Sequence, residues 1–233
     1  MDAKRAAELR KLADRCGFQL SKLDALNIAL THPTYVFENK GLNHEHNQRL
    51  EFLGDAILGL VVGEYLYLNY PEKPEGELTK MRAAVVCETT LAQVAAQLGI
   101  GQNLLLGRGE EITGGRERSS ILADAFEAIL GAVYLEAGLG QVRDFVIRQL
   151  ETKIAEVAKG AYRDYKTMLQ EVVQKNHEEN VSYAILQETG PDHDKRFVAG
   201  VIWQGQVVAK GTGRSKKEAE QKAAKAAIEI FGS

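Results

Sequence analysis

Four carboxylates stand out by the company they keep. Glu51 and Asp55 lie inside the apolar run Gln48-Arg-Leu-Glu-Phe-Leu-Gly-Asp-Ala-Ile-Leu58, and Asp124 and Glu127 inside Ser120-Ile-Leu-Ala-Asp-Ala-Phe-Glu-Ala-Ile-Leu130. In a helix, residues four apart stand ~40° apart on one face, one turn above each other. Residues three apart share a face as well. Like charges at such spacing repel by about 0.2–0.5 kcal/mol even on an exposed helix. Taken partly out of water, each unpaired carboxylate is far more expensive. No Lys or Arg stands at the matching turn positions to answer Glu51 and Asp55, and Arg49 points to another face. A bound cation is the economical answer, and hard carboxylate oxygens suit Mg²⁺. Either pair alone reads equally well as solvated surface acids. Two pairs in two apolar helices point to one shared metal site.

The elements that must position these acids follow from periodicity. Residues 3–16 and 21–31 read as amphipathic helices, the second ended by Thr31-His32-Pro33, because the residue before proline is pushed out of the helical region. His32 reads as a packing or capping residue. His44-Glu45-His46 reads as a polar loop, since alternating residues do not share a helical face. The helix carrying Glu51 and Asp55 is expected from Gln48 to Asn69, stopped before Pro71. Residues 77–98 read as one long helix, 99–115 as a Gly-rich surface loop, 117–136 as the second acidic helix closed by Gly138, and 142–157 as a further helix. Nothing up to residue 157 alternates with period two, so this part is expected to be all-α.

After a short candidate linker, residues 158–161, the pattern changes. Residues 164–175 read as a helix. Strands are expected over 181–187, 196–204 and 206–211, the last two joined tightly at Gly205. An Ala-rich helix follows over 215–230, with Ser215 as its N-cap. The order α-β-β-β-α over residues 162–233 describes a small α+β domain. Lys216 and Lys217 stand at a helix start, where exposed N–H groups and the positive dipole end favour phosphate.

Bulk properties narrow the classes. In 233 residues, 45% hydrophobic and 26% charged, there is room for one large domain or two modest ones. The apolar runs are too short to span a bilayer, and the N-terminus lacks the apolar core of a signal peptide, so a cytoplasmic protein with no membrane partner is expected. Cys16 and Cys87 are too few for a disulfide framework and read as small apolar filler. Net charge is −3. Residues 1–160 carry 18 Lys and Arg against 22 Asp and Glu, and residues 161–233 carry 11 against 10. Those balances neither establish nor exclude a nucleic-acid partner, because a basic patch can hide in a small net charge.

Two motifs carry a resemblance. Arg49-Leu-Glu-Phe-Leu-Gly-Asp55 with Leu122-Ala-Asp-Ala-Phe-Glu127 resembles the bacterial ribonuclease III family, and Gly211-Thr-Gly-Arg-Ser-Lys-Lys-Glu-Ala-Glu-Gln-Lys-Ala-Ala224 resembles the double-stranded-RNA-binding domain. The resemblance covers nearly the whole chain. It implies a catalytic domain over 1–157 and an RNA-binding domain over 162–233. It also implies a Mg²⁺-dependent endonuclease for double-stranded RNA, with Mn²⁺ as a substitute and no small-molecule cofactor, acting in rRNA, mRNA and small-RNA processing. Its products would carry 5′-phosphate and 3′-hydroxyl ends with short 3′ overhangs. Glu51, Asp55, Asp124 and Glu127 would hold the ion, with Asp55 and Glu127 catalytic, and Glu75 would support a second ion. Gln48 stands where several relatives have Glu, which leaves the ligands of that second ion in doubt. Thr167, Gln170, Glu171 and Gln174 would reach one minor groove and His193 the next, with Ser215, Lys216 and Lys217 on phosphate. A homodimer is implied, with Phe52 in its contact. The rival class is a double-stranded-RNA-binding regulator that does not cut, its first domain kept as a dimerisation scaffold. A metal phosphohydrolase for small nucleotides would leave residues 162–233 unexplained.

Overall fold

The computed structural model describes residues 1–39, 45–161, 165–176, 180–190 and 195–231. The chain divides into two compact units, Met1–Tyr162 and Arg163–Ser233. The first is helical. Its opening elements are α1 (Ala3–Cys16), α2 (Asp24–Ala29), α3 (Pro33–Glu38), α4 (Gln48–Asn69), α5 (Glu75–Val85) and α6 (Glu88–Gln97). The series continues with α7 (Arg108–Ile112), α8 (Ser119–Ala137) and α9 (Leu139–Glu156). Helix α1 shows the local rules at work. The Asp2 side chain accepts the Arg5 N–H at 2.7 Å, and Gly17 ends the helix at φ 77°, a conformation that favours glycine.

Helix α8 is the axis of this unit. From Ile121 to Val133 every residue is buried except Asp124 and Glu127. An apolar helix of that kind must be wrapped on all sides, and α4, α6, α2 and α9 do so. Phe126 meets Phe145 of α9 at 5.8 Å between ring centroids, and Phe145 meets Phe18 at 4.6 Å.

Several boundaries differ from the sequence expectation. The second helix is shorter than 21–31. Pro33, expected only as a stop, also starts α3, where its missing N–H does no harm. The long helix expected over 77–98 is two helices, broken at Val86 and Cys87. Met81 and Val85 are buried on one side of the break, Leu91, Val94 and Ala95 on the other, and one straight rod could not bring both sets to the core. Cys87 is therefore not apolar filler. It is the N-cap residue of α6, its Sγ within 3.2 Å of Thr89 Oγ1 and 3.3 Å of Thr90 Oγ1, whereas Cys16 is buried in the core. The Gly-rich stretch 99–115 contains α7 and a 3-10 turn, Gly101–Asn103. Residues 158–161 lie in a π-helical turn, Val157–Ala161, that continues α9.

The second unit runs α10 (Tyr165–Asn176), β1 (Ser182–Thr189), β2 (Arg196–Trp203), β3 (Gln206–Gly213) and α11 (Lys216–Phe231). Its three strands form an antiparallel sheet in the order β1-β2-β3. Gln204 at φ 48° and Gly205 at φ 74° close the β2–β3 hairpin, the positive pair that suits the twist of adjoining strands. Both helices pack on the sheet face that carries Phe197, Ala199, Val201 and Ala209. Helix α11 lies directly on β3. A Cβ on Gly211 would sit 2.1 Å from the Ala223 nitrogen, and one on Gly213 2.5 Å from the Ala219 nitrogen. The Gly211-Thr-Gly213 motif thus meets the alanines of α11 for packing reasons.

Candidate active site

The four acids come together because α4 and α8 touch backbone to backbone. Gly54, between Glu51 and Asp55 in sequence, has no room for a side chain: a Cβ there would lie 1.8 Å from the Glu127 carbonyl oxygen. One turn on, a Cβ on Gly131 would lie 2.3 Å from the Leu50 carbonyl oxygen. Real Cβ atoms do not approach so closely. The two glycines let the helices cross at a distance that larger residues forbid, and the crossing carries the acids of α4 to those of α8.

The electrostatics record the meeting. Burial, then the charges of Asp55, Glu51 and Asp124, pushes the Glu127 carboxyl up to about 7. Burial, then Asp124 and Asp55, raises Glu51. Burial also raises Asp124, with Glu88 adding repulsion and His32 opposing it. The charges acting on Glu51 and Glu127 are all carboxylates. Such a set is unfavourable alone and suited to a hard cation. Among the described residues no three His, Cys, Asp or Glu side chains converge tightly enough to enclose an ion as they stand. The donor chemistry fits a divalent ion.

Glu75 is not among the charges acting on the group. It opens α5, where its carboxylate accepts the Thr79 hydroxyl at 2.9 Å. Gln48 is exposed at the start of α4. Phe52 is 80% exposed, off the acidic face.

Two residues of this neighbourhood, Glu88 and Glu110, were not singled out from the sequence, and a third, His32, was read only as a packing or capping residue. Glu88, at the start of α6, adds to the repulsion on Asp124. Glu110 of α7 pairs with Arg118. His32 caps α3 as expected, yet its ring also lies in the field of Glu110, Asp124, Arg118 and His46, with burial lowering its pKa. No local pattern marks them together, since three different helices, α3, α6 and α7, deliver them.

In the second unit, Thr167, Gln170 and Gln174 lie along α10 at helical spacing, away from buried Leu169 and Val173. Gln174 Nε2 donates to Asn180 Oδ1 at 3.2 Å. The Glu171 side chain and His193 lie outside the described residues, as does His44 of the polar-loop expectation. Ser215 Oγ accepts the Glu218 N–H at 3.2 Å, so Ser215 does cap α11, and Glu218 in turn accepts the Arg214 N–H at 2.8 Å. Lys216 and Lys217 are exposed at that helix start, Lys216 Nζ 5.9 Å from the centre of the Phe197 ring.

Residues 24–154 match the model of the ribonuclease-III-like family, and residues 165–230 that of the double-stranded RNA binding motif. The chain belongs to the ribonuclease III family. Ribonuclease 3 of Syntrophomonas wolfei is 58% identical over 90% of this chain and 89% of its own. Ribonuclease 3 of Moorella thermoacetica is 50% identical over 99% of this chain and 98% of its own. The nuclease domain of ribonuclease III from Campylobacter jejuni, described for structural flexibility in the region involved in dimer formation, superposes with a TM-score of 0.57 at 41% identity. That match covers 62% of this chain and 96% of that one. As a member of the ribonuclease III family, the protein is an endoribonuclease specific for double-stranded RNA, and the family implies dependence on a divalent metal. Among the described residues no helix is long and apolar enough to cross a membrane.

Proposed function

We propose that the cleavage site is the junction of α4 and α8, with Glu51, Asp55, Asp124 and Glu127 holding Mg²⁺, or Mn²⁺ in its place. The observation that carries this is the coupling of these acids, which leaves Glu127 at about 7 with only carboxylates among the charges acting on it. Bound there, the ion would supply an activated water and stabilise the leaving oxygen of phosphodiester hydrolysis. The chain's own part is to present oxygen ligands on two helices whose crossing is fixed by Gly54 and Gly131. Asp55 and Glu127 would act closest to the reacting phosphate. The second-ion role of Glu75 rests on the resemblance alone.

The α-β-β-β-α unit would hold double-stranded RNA by its shape, with Thr167, Gln170, Glu171 and Gln174 of α10 on one minor groove, His193 on the next, and Ser215, Lys216 and Lys217 on phosphate. The same reading makes the functional unit a cytoplasmic homodimer. Phe52, Leu60, Tyr67, Leu68 and Leu135 all expose more than half of their surface, an apolar face that a lone soluble chain rarely leaves open. A cavity of about 320 Å³ lined by Tyr67, Leu68, Tyr70, Pro71, Lys73 and Leu78 adjoins two of them.

The test is cleavage of long double-stranded RNA by the full chain, titrated with Mg²⁺ or Mn²⁺ after chelation. Cleavage restored by either ion, with 5′-phosphate ends, supports the metal reading. Undiminished cleavage under chelation refutes it. Sedimentation of Phe52→Ala checks the dimer: a folded monomer supports the contact, and an intact dimer or an unfolded chain counts against it.

A further inference from the structure

His32 sits where the chain leaves α2 and enters α3, beside the acidic group. Its Nδ1 accepts the Thr34 N–H at 3.3 Å. A backbone amide can only donate, so Nδ1 is the unprotonated nitrogen of the ring. The Thr34 hydroxyl lies 2.8 Å from the same nitrogen, and its oxygen receives the Gly107 N–H at 3.0 Å. That loop has little freedom to shift, because a Cβ on Gly107 would stand 2.5 Å from Glu38 Oε1 and 2.9 Å from Thr34 Cβ. The imidazole is therefore held as the neutral tautomer with its proton on Nε2. Burial favours the same neutral state. Among the described residues, the hydrogen bonds of the His32 ring all fall on Nδ1. Glu110, the anion with the strongest pull on the ring, is already paired with Arg118, and Asp124 belongs to the acidic group.

A site built of four acids still has to admit a phosphodiester. A Lys or Arg in this place would pair with the carboxylates and compete for the charge they offer a metal. A neutral N–H can hydrogen-bond to a backbone oxygen of RNA without doing so. We infer that His32 is a substrate-contacting residue, its Nε2–H donating to a phosphate or 2′-hydroxyl oxygen of the strand that lies against Asp124. This rests on the reading of the four acids as the cleavage site.

The experiment compares His32→Asn and His32→Gln in the full chain, with Glu127→Gln alongside. Asn offers Oδ1 where Nδ1 stood and is a strong helix N-cap, but it reaches no further. Gln extends its amide towards the place of Nε2 and caps poorly. His32→Asn should keep the thermal midpoint while kcat on short double-stranded RNA falls by roughly tenfold to a hundredfold, the loss of one charge-assisted hydrogen bond. His32→Gln should lower the midpoint yet recover part of that kcat. The divalent-ion concentration for half-maximal rate should stay unchanged in both. Activity that merely follows the thermal midpoint overturns the proposal, as does a loss that added ion repairs, since His32 would then act through the carboxylates. If Glu127→Gln is inactive while His32→Asn cleaves like the unaltered chain, the His32 proposal alone fails. If Glu127→Gln cleaves normally, the acidic-site reading fails and this proposal with it.

Discussion

In the helical unit Glu127 is pushed up to about 7 by burial and three neighbouring carboxylates, whereas in the α-β-β-β-α unit the Lys222 ammonium and the Arg214 N–H hold Glu218 below the usual range. Charge in the second unit is answered locally. Lys222 pairs with Glu218 at 2.6 Å and Lys166 with Glu220 at 2.8 Å, which leaves Lys216 and Lys217 exposed at the start of α11. In the first unit helix packing concentrates charge at one place, where the charges acting on Glu51 and Glu127 are all carboxylates, although ion pairs such as Arg143 with Glu64 lie elsewhere in it. The difference fits the two tasks proposed for them. A surface that reads RNA shape works through many weak, reversible contacts, while a centre that hydrolyses a phosphodiester concentrates unfavourable charge until an ion relieves it.

The strongest test of that contrast is Glu127→Gln. The helix should fold, relieved of repulsion, and affinity for double-stranded RNA should be nearly intact because the second unit carries it. Cleavage should fall by orders of magnitude, since a neutral amide oxygen is a poorer ligand for Mg²⁺. Parallel binding and cleavage assays decide, and near-normal cleavage sinks the proposed site.

Gly54→Ala comes next. Alanine gains about 1 kcal/mol of helix propensity over glycine, but its Cβ would stand 1.8 Å from the Glu127 carbonyl oxygen. Overpacking of this kind costs about 1–3 kcal/mol or more, so the contact wins over propensity. Thermal unfolding should show destabilisation together with lost activity. Gly140→Ala in α9, where no atom lies within 4 Å of the added Cβ, serves as the contrast and should be neutral or stabilising.

Lys216→Ala with Lys217→Ala probes the other side of the comparison. Binding should weaken about tenfold at moderate salt, and the dependence of log affinity on log salt should flatten by roughly two units. An unchanged slope would mean that neither lysine touches the RNA backbone.

The smallest effect concerns pH. With divalent ions chelated, the folded Glu127 holds its proton to about 7, while the unfolded chain releases it near 4.5. The raised folded pKa therefore contributes stability that is full below about 4.5 and is lost as pH climbs through about 7. Glu51 and Asp124 are raised too and act in the same direction. Thermal midpoints measured under chelation should decline across that window, and Mg²⁺ should restore them most at the upper end. A midpoint that rises across the window would show that the acids are not coupled.

Much of this could be read from the chain. The spacing of Glu51 with Asp55 and Asp124 with Glu127 put each pair on one helical face, and that is a property of the helix itself. The stripe of Thr167, Gln170, Glu171 and Gln174, the hairpin at Gly205 and the cap at Ser215 are local in the same sense, set by backbone geometry within a few residues. The exposure of Phe52 was not local. An apolar residue amid Leu50, Leu53 and Ile57 looks like core until the packing of α4 on α8 assigns the faces.

The sequence by itself determined which residues carry charge, which face of its own helix each occupies, and where the pattern turns from period 3.6 to period 2. Tertiary structure alone decided that Gly54 and Gly131 are a contact rather than helix breakers, that the chain bends at Val86 and Cys87, and that His32 and Glu88 come near Asp124 while Glu110 comes near His32. The physical reason is range. Helix spacing and caps act over a few residues, whereas close backbone approach and the mutual field of carboxylates depend on distances between segments far apart in sequence, which only the packed core sets.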